Sequence, residues 1–243
     1  MSLDSAPATT SAAAVIFDMD GLLVDSEPIW NRVQAEVLDS VGVDIRPFLG
    51  QGLITGMRAD EAVALFRRRF GFAGPTDAQL AAAIVRRVVE EIADGALLFP
   101  GALEALEFCE ARGLSLALAS GSVMEIIEAV LDRFDLRRHF PVVVSAERVP
   151  LGKPHPGVLL LTAEELGADP LRCVVVEDAV NGCIAAKAAR MAVIGVPEPG
   201  TEGDPRWAIA DVVLESLVDF PSAPVAALLD DVTRADATRA AIT

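Results

Sequence analysis

The stretch VIFDMDGLLVDSEP, residues 15–28, decides the fold. It starts as an apolar, β-branched run and breaks off at two carboxylates, Asp18 and Asp20, with Gly21 behind them. The end of a buried strand is an unfavourable place for two like charges. Either they are surface charges following a buried strand, or something cationic binds there.

Working outward, the same kind of run recurs. LSLALA (114–119), PVVV (141–144), CVVVE (173–177), AVIGV (192–196) and DVVL (211–214) are short, apolar and rich in β-branched residues. Helix-like segments at 124–134, 156–167 and 179–190 alternate with the later ones. Continuous apolar strands separated by helices specify an α/β fold: a Rossmann-like parallel sheet covered on both faces. The gap after the first strand is too long for a single crossover. Residues 28–93 read as helix throughout, punctuated by Gly42, Gly71 and Gly74-Pro75, and are expected to form an inserted helical domain. The sheet domain is expected over 12–27 and 94–225, with flexible tails at 1–11 and 231–243.

Composition narrows the partners. The 243-residue chain is 52% hydrophobic, ample for a packed core, and carries a formal charge of −16. No basic stripe is present, so nucleic acid is excluded as a partner. No apolar run reaches membrane-spanning length. The first basic residue is Arg32, so a secretory n-region is missing and a cytoplasmic protein is expected, with a monomer as the default. Cys109, Cys173 and Cys183 lie in apolar patterns without CxxC spacing and read as reduced packing residues. A small anionic substrate would need a local positive centre in this negative field, which a bound cation would supply. The basic residues are nearly all arginine; the two lysines are Lys153 and Lys187. A lysine here is either a compact charge placed on purpose or a remnant of codon bias.

The polar residues that follow the strands carry the chemistry. Asp18 and Asp20 follow the first, Ser120 and Gly121 the second, and Glu177 and Asp178 the strand CVVV; Lys153, in GKPHP, follows the loop after PVVV. In a parallel sheet these positions share the C-terminal edge, where open α/β sheets bind ligands. Taken singly, each is ordinary: a surface DxD, a serine after a strand, a stiff turn, an acidic helix cap. Together they make a site. Asp18 and Asp178 form a hard-oxygen shell suited to Mg²⁺, and no neighbouring Cys or His favours zinc. The ion and Lys153 neutralise the acids, while Ser120 and the Gly121 backbone N–H can hold phosphate oxygens. One aspartate, Asp18, is then the nucleophile toward phosphorus, and Asp20 the general acid/base.

These motifs in this order (Asp18-Met19-Asp20-Gly21, Ser120, Lys153 in GKPHP, Glu177-Asp178) resemble the haloacid dehalogenase-like phosphatase superfamily over residues 12–220. The insert after the first motif resembles the α-helical cap of the β-phosphoglucomutase-like branch. The phrases FDMDGLLVDSEPIW, KPHP, VEDAVNG and AAKAARM are similar to bacterial phosphatases of 2-deoxyglucose 6-phosphate and hexitol phosphates. The resemblance implies Mg²⁺ held by Asp18, the backbone carbonyl of Asp20 and Asp178, with Glu177 as a further acid near the metal. It also implies an aspartyl-phosphate on Asp18 and a small phosphorylated metabolite as partner. Asp20 speaks against dehalogenation, since the dehalogenases lack that second acid. A sugar-phosphate mutase is the alternative, but the mutases carry a histidine where this chain has Trp30 and a cap lysine where residues 28–93 have none. Arg58, in GMRADEAV, either substitutes for that lysine at the substrate or is a solvated helix-start residue. A catalytically silent metabolite-binding relative is a further alternative; it need not keep both Asp18 and Asp20.

Overall fold

The structure, a computed structural model, describes residues 13–49 and 54–239; the expected N-terminal tail, residues 1–11, lies outside them. Six parallel strands form one sheet: β1 (Ala14–Phe17), β4 (Ser115–Ser120), β5 (Val142–Ser145), β6 (Cys173–Glu177), β7 (Ala192–Gly195) and β8 (Val212–Val213), in the order β5-β4-β1-β6-β7-β8. Each apolar run singled out above becomes one of these strands. β1, β4 and β6 are buried almost without interruption because both faces are covered. Side chains alternate between two cores: Val15, Phe17, Leu116, Leu118, Val174 and Val176 enter one, and Ala14, Ile16, Ala117, Ala119, Cys173 and Val175 the other.

The chain leaves β1, builds β4 and β5 on one side, then returns to build β6, β7 and β8 on the other. The reversal falls at β1, and the crevice beyond its C-terminal end is where such sheets take ligands. Phe17 is in register with Leu118 and Val176, so Asp18 stands one step beyond, level with the ends of both neighbours. Three crossover helices, α5 (Met124–Arg133), α6 (Gly157–Leu166) and α7 (Val180–Ala188), fall where the sequence places helices; α4 (Ala102–Glu110) precedes β4.

Between β1 and β4 the chain forms α1 (Glu27–Asp39), α2 (Ala59–Phe70) and α3 (Asp77–Gly95). α3 begins with a reciprocal cap, Thr76 Oγ1 accepting from Gln79 N at 3.2 Å and Gln79 Oε1 accepting from Thr76 N at 2.8 Å. α3 packs on α1, α2 and α5, and Trp30, Val33, Phe66, Ile84 and Val88 join the same core as Phe17 and Val176. Two crossings between sheet domain and insert pair as an antiparallel ribbon, β2 (Val24–Asp25) with β3 (Leu97–Leu98). Sequence patterning does not predict this ribbon: two residues are too few to show a strand period.

The expected C-terminal tail is corrected over residues 231–239; residues 240–243 lie outside the described residues. α8 (Ala223–Arg239) is helical well past residue 231. Val225, Leu229 and Val232 are buried on one face, and Arg172 donates to the carbonyls of Val232 and Thr233, fastening the helix to the sheet domain. Lys187 joins Asp211 through both carboxylate oxygens at 2.8 Å, tying α7 to the segment before β8. The three cysteines are free and buried; burial pushes Cys109 and Cys173 up to about 12. Among the described residues no helix is long and apolar enough to cross a membrane.

Candidate active site

Asp18 sits at the centre of the crevice, 4% exposed. Its backbone N–H donates to Val176 O at 3.0 Å, so the sheet ladder itself fixes its position. Lys153 reaches it from the loop after β5: Nζ donates to Asp18 Oδ1 at 2.7 Å, to Ala119 O at 3.1 Å and to Glu177 Oε1. Burial pushes the Asp18 carboxyl up to about 7, Lys153 opposing and Glu177 reinforcing the rise. Burial alone would lower Lys153, but Asp18 and Glu177 outweigh it and hold the ammonium above its ordinary value.

Glu177 is fully buried beneath the start of α7 and accepts from Ala179 N at 3.3 Å. Gly182 makes room for it: a Cβ there would fall 1.9 Å from the Glu177 carboxyl carbon. Asp178 is 2% exposed and neither of its oxygens has a hydrogen-bond partner. Burial, then the charges of Asp18, Glu177 and Glu198, push its carboxyl well above the ordinary value. Two partnerless oxygens on a buried carboxylate call for a cation. Ligand atoms of Asp18, Glu177 and Asp178 lie within 4.8 Å of one another, an all-oxygen set that fits a hard divalent ion.

Asp20 is turned the other way. Its Oδ1 accepts from Ser26 Oγ at 2.7 Å and Trp30 Nε1 at 3.2 Å; its Oδ2 accepts from Ser122 Oγ at 2.7 Å and Ser120 Oγ at 3.2 Å. Gly21, at φ +80°, turns the chain directly after Asp20; a Cβ there would fall 2.1 Å from Asp178 Oδ2. Ser120 is almost wholly buried and its Oγ also accepts from Ser122 N at 2.9 Å, closing a tight turn around Gly121.

All the residues expected at the sheet edge therefore converge: Asp18, Lys153, Glu177 and Asp178 as one charged cluster, and Asp20, Ser120 and Gly121 beside it. Arg58 stands apart from that cluster. It is no solvated helix-start residue: Nε donates to Asp60 Oδ1 at 3.0 Å and NH1 to Val149 O at 3.0 Å, bridging α2 to the sheet domain. Sequence reasoning missed Ser26 and Ser122 as Asp20 partners; Trp30 packs in the core and its indole N–H holds Asp20 as well. It also missed Glu27 and Glu198, which face the acidic cluster. Burial, then Glu198 and Asp20, push Glu27 up to about 8, and burial raises Glu198. Glu198 follows β7 at the same sheet edge, so the rule that located the other residues could have found it. Asn181 Nδ2 donates to Thr55 O at 3.2 Å, joining the start of α7 to the insert.

A family model for haloacid dehalogenase-like hydrolases matches residues 12–190. The chain belongs to the haloacid dehalogenase-like hydrolases. It is 45% identical over 207 residues to hexitol phosphatase B of Escherichia coli (strain K12), covering 85% of this chain and 93% of that one. A phosphoglycolate phosphatase of Caulobacter vibrioides is 30% identical, over 90% of this chain and 93% of the other. Among solved structures, CbbY from Rhodobacter sphaeroides in complex with phosphate superposes with a TM-score of 0.78 at 30% identity, covering 90% and 99% of the two chains. A β-phosphoglucomutase from Clostridium difficile, at 22% identity and a TM-score of 0.77, shares the fold.

Proposed function

We propose that this phosphatase acts on small sugar or sugar-alcohol phosphates, such as hexitol phosphates or 2-deoxyglucose 6-phosphate, with Mg²⁺ as cofactor and Asp18 as nucleophile. The observation that carries the reading is the division between the two aspartates. Asp18 is bound by the lysine and lies among the carboxylates, whereas Asp20 is held away from them by four uncharged donors. The 45% identity to a hexitol phosphatase supports the substrate class.

Asp18, Asp178 and the backbone carbonyl of Asp20 would hold the metal, with Glu177 behind them. When bound, a divalent ion offsets the charge of carboxylates and phosphate and orients the phosphoryl oxygens. Lys153 fixes Asp18 Oδ1, leaving the other oxygen to attack phosphorus. As the Asp18–phosphorus bond forms, the bond from phosphorus to the sugar oxygen breaks, and Asp20 gives that oxygen its proton. In the second half Asp20 takes a proton from water, whose oxygen attacks phosphorus and releases Asp18. Ser120 and the Gly121 N–H receive the phosphoryl oxygens.

The cavity between Asp18, Asp20, Ser120 and the insert residues Thr55, Gly56 and Met57 has a volume of about 40 Å³. That is room for a few waters and no sugar phosphate. The helical insert therefore acts as a cap that moves to admit substrate and then excludes water from the first half-reaction.

Asp20→Asn tests the assignment. Turnover of a hexitol phosphate is expected to fall by about 10²–10⁴-fold. With p-nitrophenyl phosphate, whose leaving group needs no proton, the first half-reaction is expected to persist and release a burst of nitrophenol. Hexitol phosphate turnover that survives the substitution would remove Asp20 from the mechanism; no phosphate release from any sugar or polyol phosphate would refute the substrate class.

A further inference from the structure

A second, larger cavity of about 430 Å³ adjoins the first through Trp30, Gly121 and Ser122. Under the function proposed above, it is the space for the part of the substrate that carries no reacting phosphate. Its walls are an alanine-rich face of α3, including Ala78, Ala81 and Ala82, and the start of α5. It holds two groups that could attract an anion: the Arg58 guanidinium and the N-terminus of α5, whose backbone N–H groups project without intrahelical partners.

Both are already taken by carboxylates of the chain itself. Asp60 accepts from Arg58 through both oxygens, Oδ1 from Nε at 3.0 Å and Oδ2 from NH2 at 2.5 Å. Glu147 reaches across from the turn after β5, and its Oε2 accepts from Met124 N, the first residue of α5, at 2.7 Å. A third acid, Glu125, lies in the first turn of the same helix and also lines the cavity. One guanidinium thus shares the cavity with three carboxylates, and neither attractive group is free for a second phosphate.

We propose that Glu147, with Asp60, is a specificity determinant that occupies the place of a second phosphate and restricts the enzyme to monophosphates with an uncharged, hydroxyl-bearing distal end. The carboxylates accept hydrogen bonds from hydroxyl groups, whereas a distal phosphate would meet like charge at close range.

The test is calorimetric binding of a hexose 1,6-bisphosphate and of the matching hexose 6-phosphate, with Mg²⁺ present. It is made on full-length Asp18→Asn, which cannot turn either over, and on that protein with Glu147→Gln or Asp60→Asn added. Gln at 147 can still accept from Met124 N, so the helix cap is retained while the charge is removed. The readout is the ratio of the two affinities. That ratio is expected to shift by about tenfold toward the bisphosphate in each added variant, the size of one unit charge removed at roughly 6 Å in a partly solvated site. A ratio unchanged in both variants overturns the proposal, as does an Asp18→Asn protein that already binds the bisphosphate more tightly than the monophosphate. These binding results stand apart from turnover of the hexitol phosphate panel, so a wrong substrate class and a wrong specificity determinant give different signatures.

Discussion

Gly21→Ala tests how the turn that follows Asp20 builds the metal site. Gly21 has φ +80°, where an L side chain costs about 1–2 kcal/mol. For a chain of this size that lowers Tm by roughly 2–8 °C. The added methyl would also fall 2.1 Å from Asp178 Oδ2, and the buried Asp178 carboxylate has to move. Gly42 separates the two effects: it has φ +79° and nothing within 4 Å of the position of a Cβ. Gly42→Ala therefore carries the backbone penalty alone. Thermal unfolding of both variants, titrated with Mg²⁺, is the assay. Gly42→Ala is expected to lose stability and keep the parent's Mg²⁺ midpoint. Gly21→Ala is expected to lose at least as much and to weaken Mg²⁺ binding by on the order of ten- to a hundredfold, the usual effect of disturbing a ligand's surroundings. Equal Mg²⁺ midpoints in the two variants would refute the argument that Asp178 is a ligand placed by this glycine.

Other outcomes follow from the same charges. Lys153→Met leaves Asp18 and Glu177 buried without their cation and is expected to destabilise the metal-free protein by about 3–5 kcal/mol at pH 8; urea unfolding measures this, and unchanged stability would contradict it. Asp18 is raised from its ordinary 3.8 to about 7, and Glu27 from 4.5 to about 8, so the folded protein holds these protons more tightly than the unfolded chain. Their contribution is then complete below the unfolded values and is lost as pH rises through 7 to 8. Tm in EDTA is accordingly expected to fall between pH 5 and 8.5, with Mg²⁺ flattening the profile; a Tm that climbs over this range in EDTA would go against it. Inorganic phosphate at 100 times its dissociation constant is expected to stabilise the Mg²⁺-loaded protein by about 2.7 kcal/mol and the metal-free protein hardly at all. Equal protection in both states would mean that the site accepts phosphate without a cation.

The sheet and the crossover helices were legible because strands buried on both faces leave an unbroken apolar run. The charged cluster was legible because parallel strands place their exits on one edge. Asp18, Glu177 and Asp178 needed only that rule, and Glu198 obeys it too, beyond β7. The partners of Asp20 were not legible: Ser26, Trp30 and Ser122 reach it through side-chain rotamers and the closure of the insert, which no sequence period encodes. The end of α8 is helical where a tail is expected. The spacing of Val225, Leu229 and Val232, four and then three residues apart, carries a helical signal into that segment.

The two lysines in an arginine-rich chain now have different explanations. Lys153 is 1% exposed and its ammonium has three acceptors: Asp18 Oδ1, Glu177 Oε1 and Ala119 O. An ammonium has three N–H donors, so each is satisfied. A guanidinium would bring five donors in a rigid plane, two of them without acceptors in a space already filled, and would strand buried N–H groups beside the nucleophile. Lys187 is about one-third exposed and meets both oxygens of a single carboxylate, Asp211, a geometry that an arginine fork serves equally well. Only the first lysine is therefore dictated by its surroundings. Those surroundings also explain how a chain of net charge −16 can act on an anion. Lys153 offsets one of the three carboxylates gathered around β1 and β6, and the remaining two charges equal that of a single divalent ion.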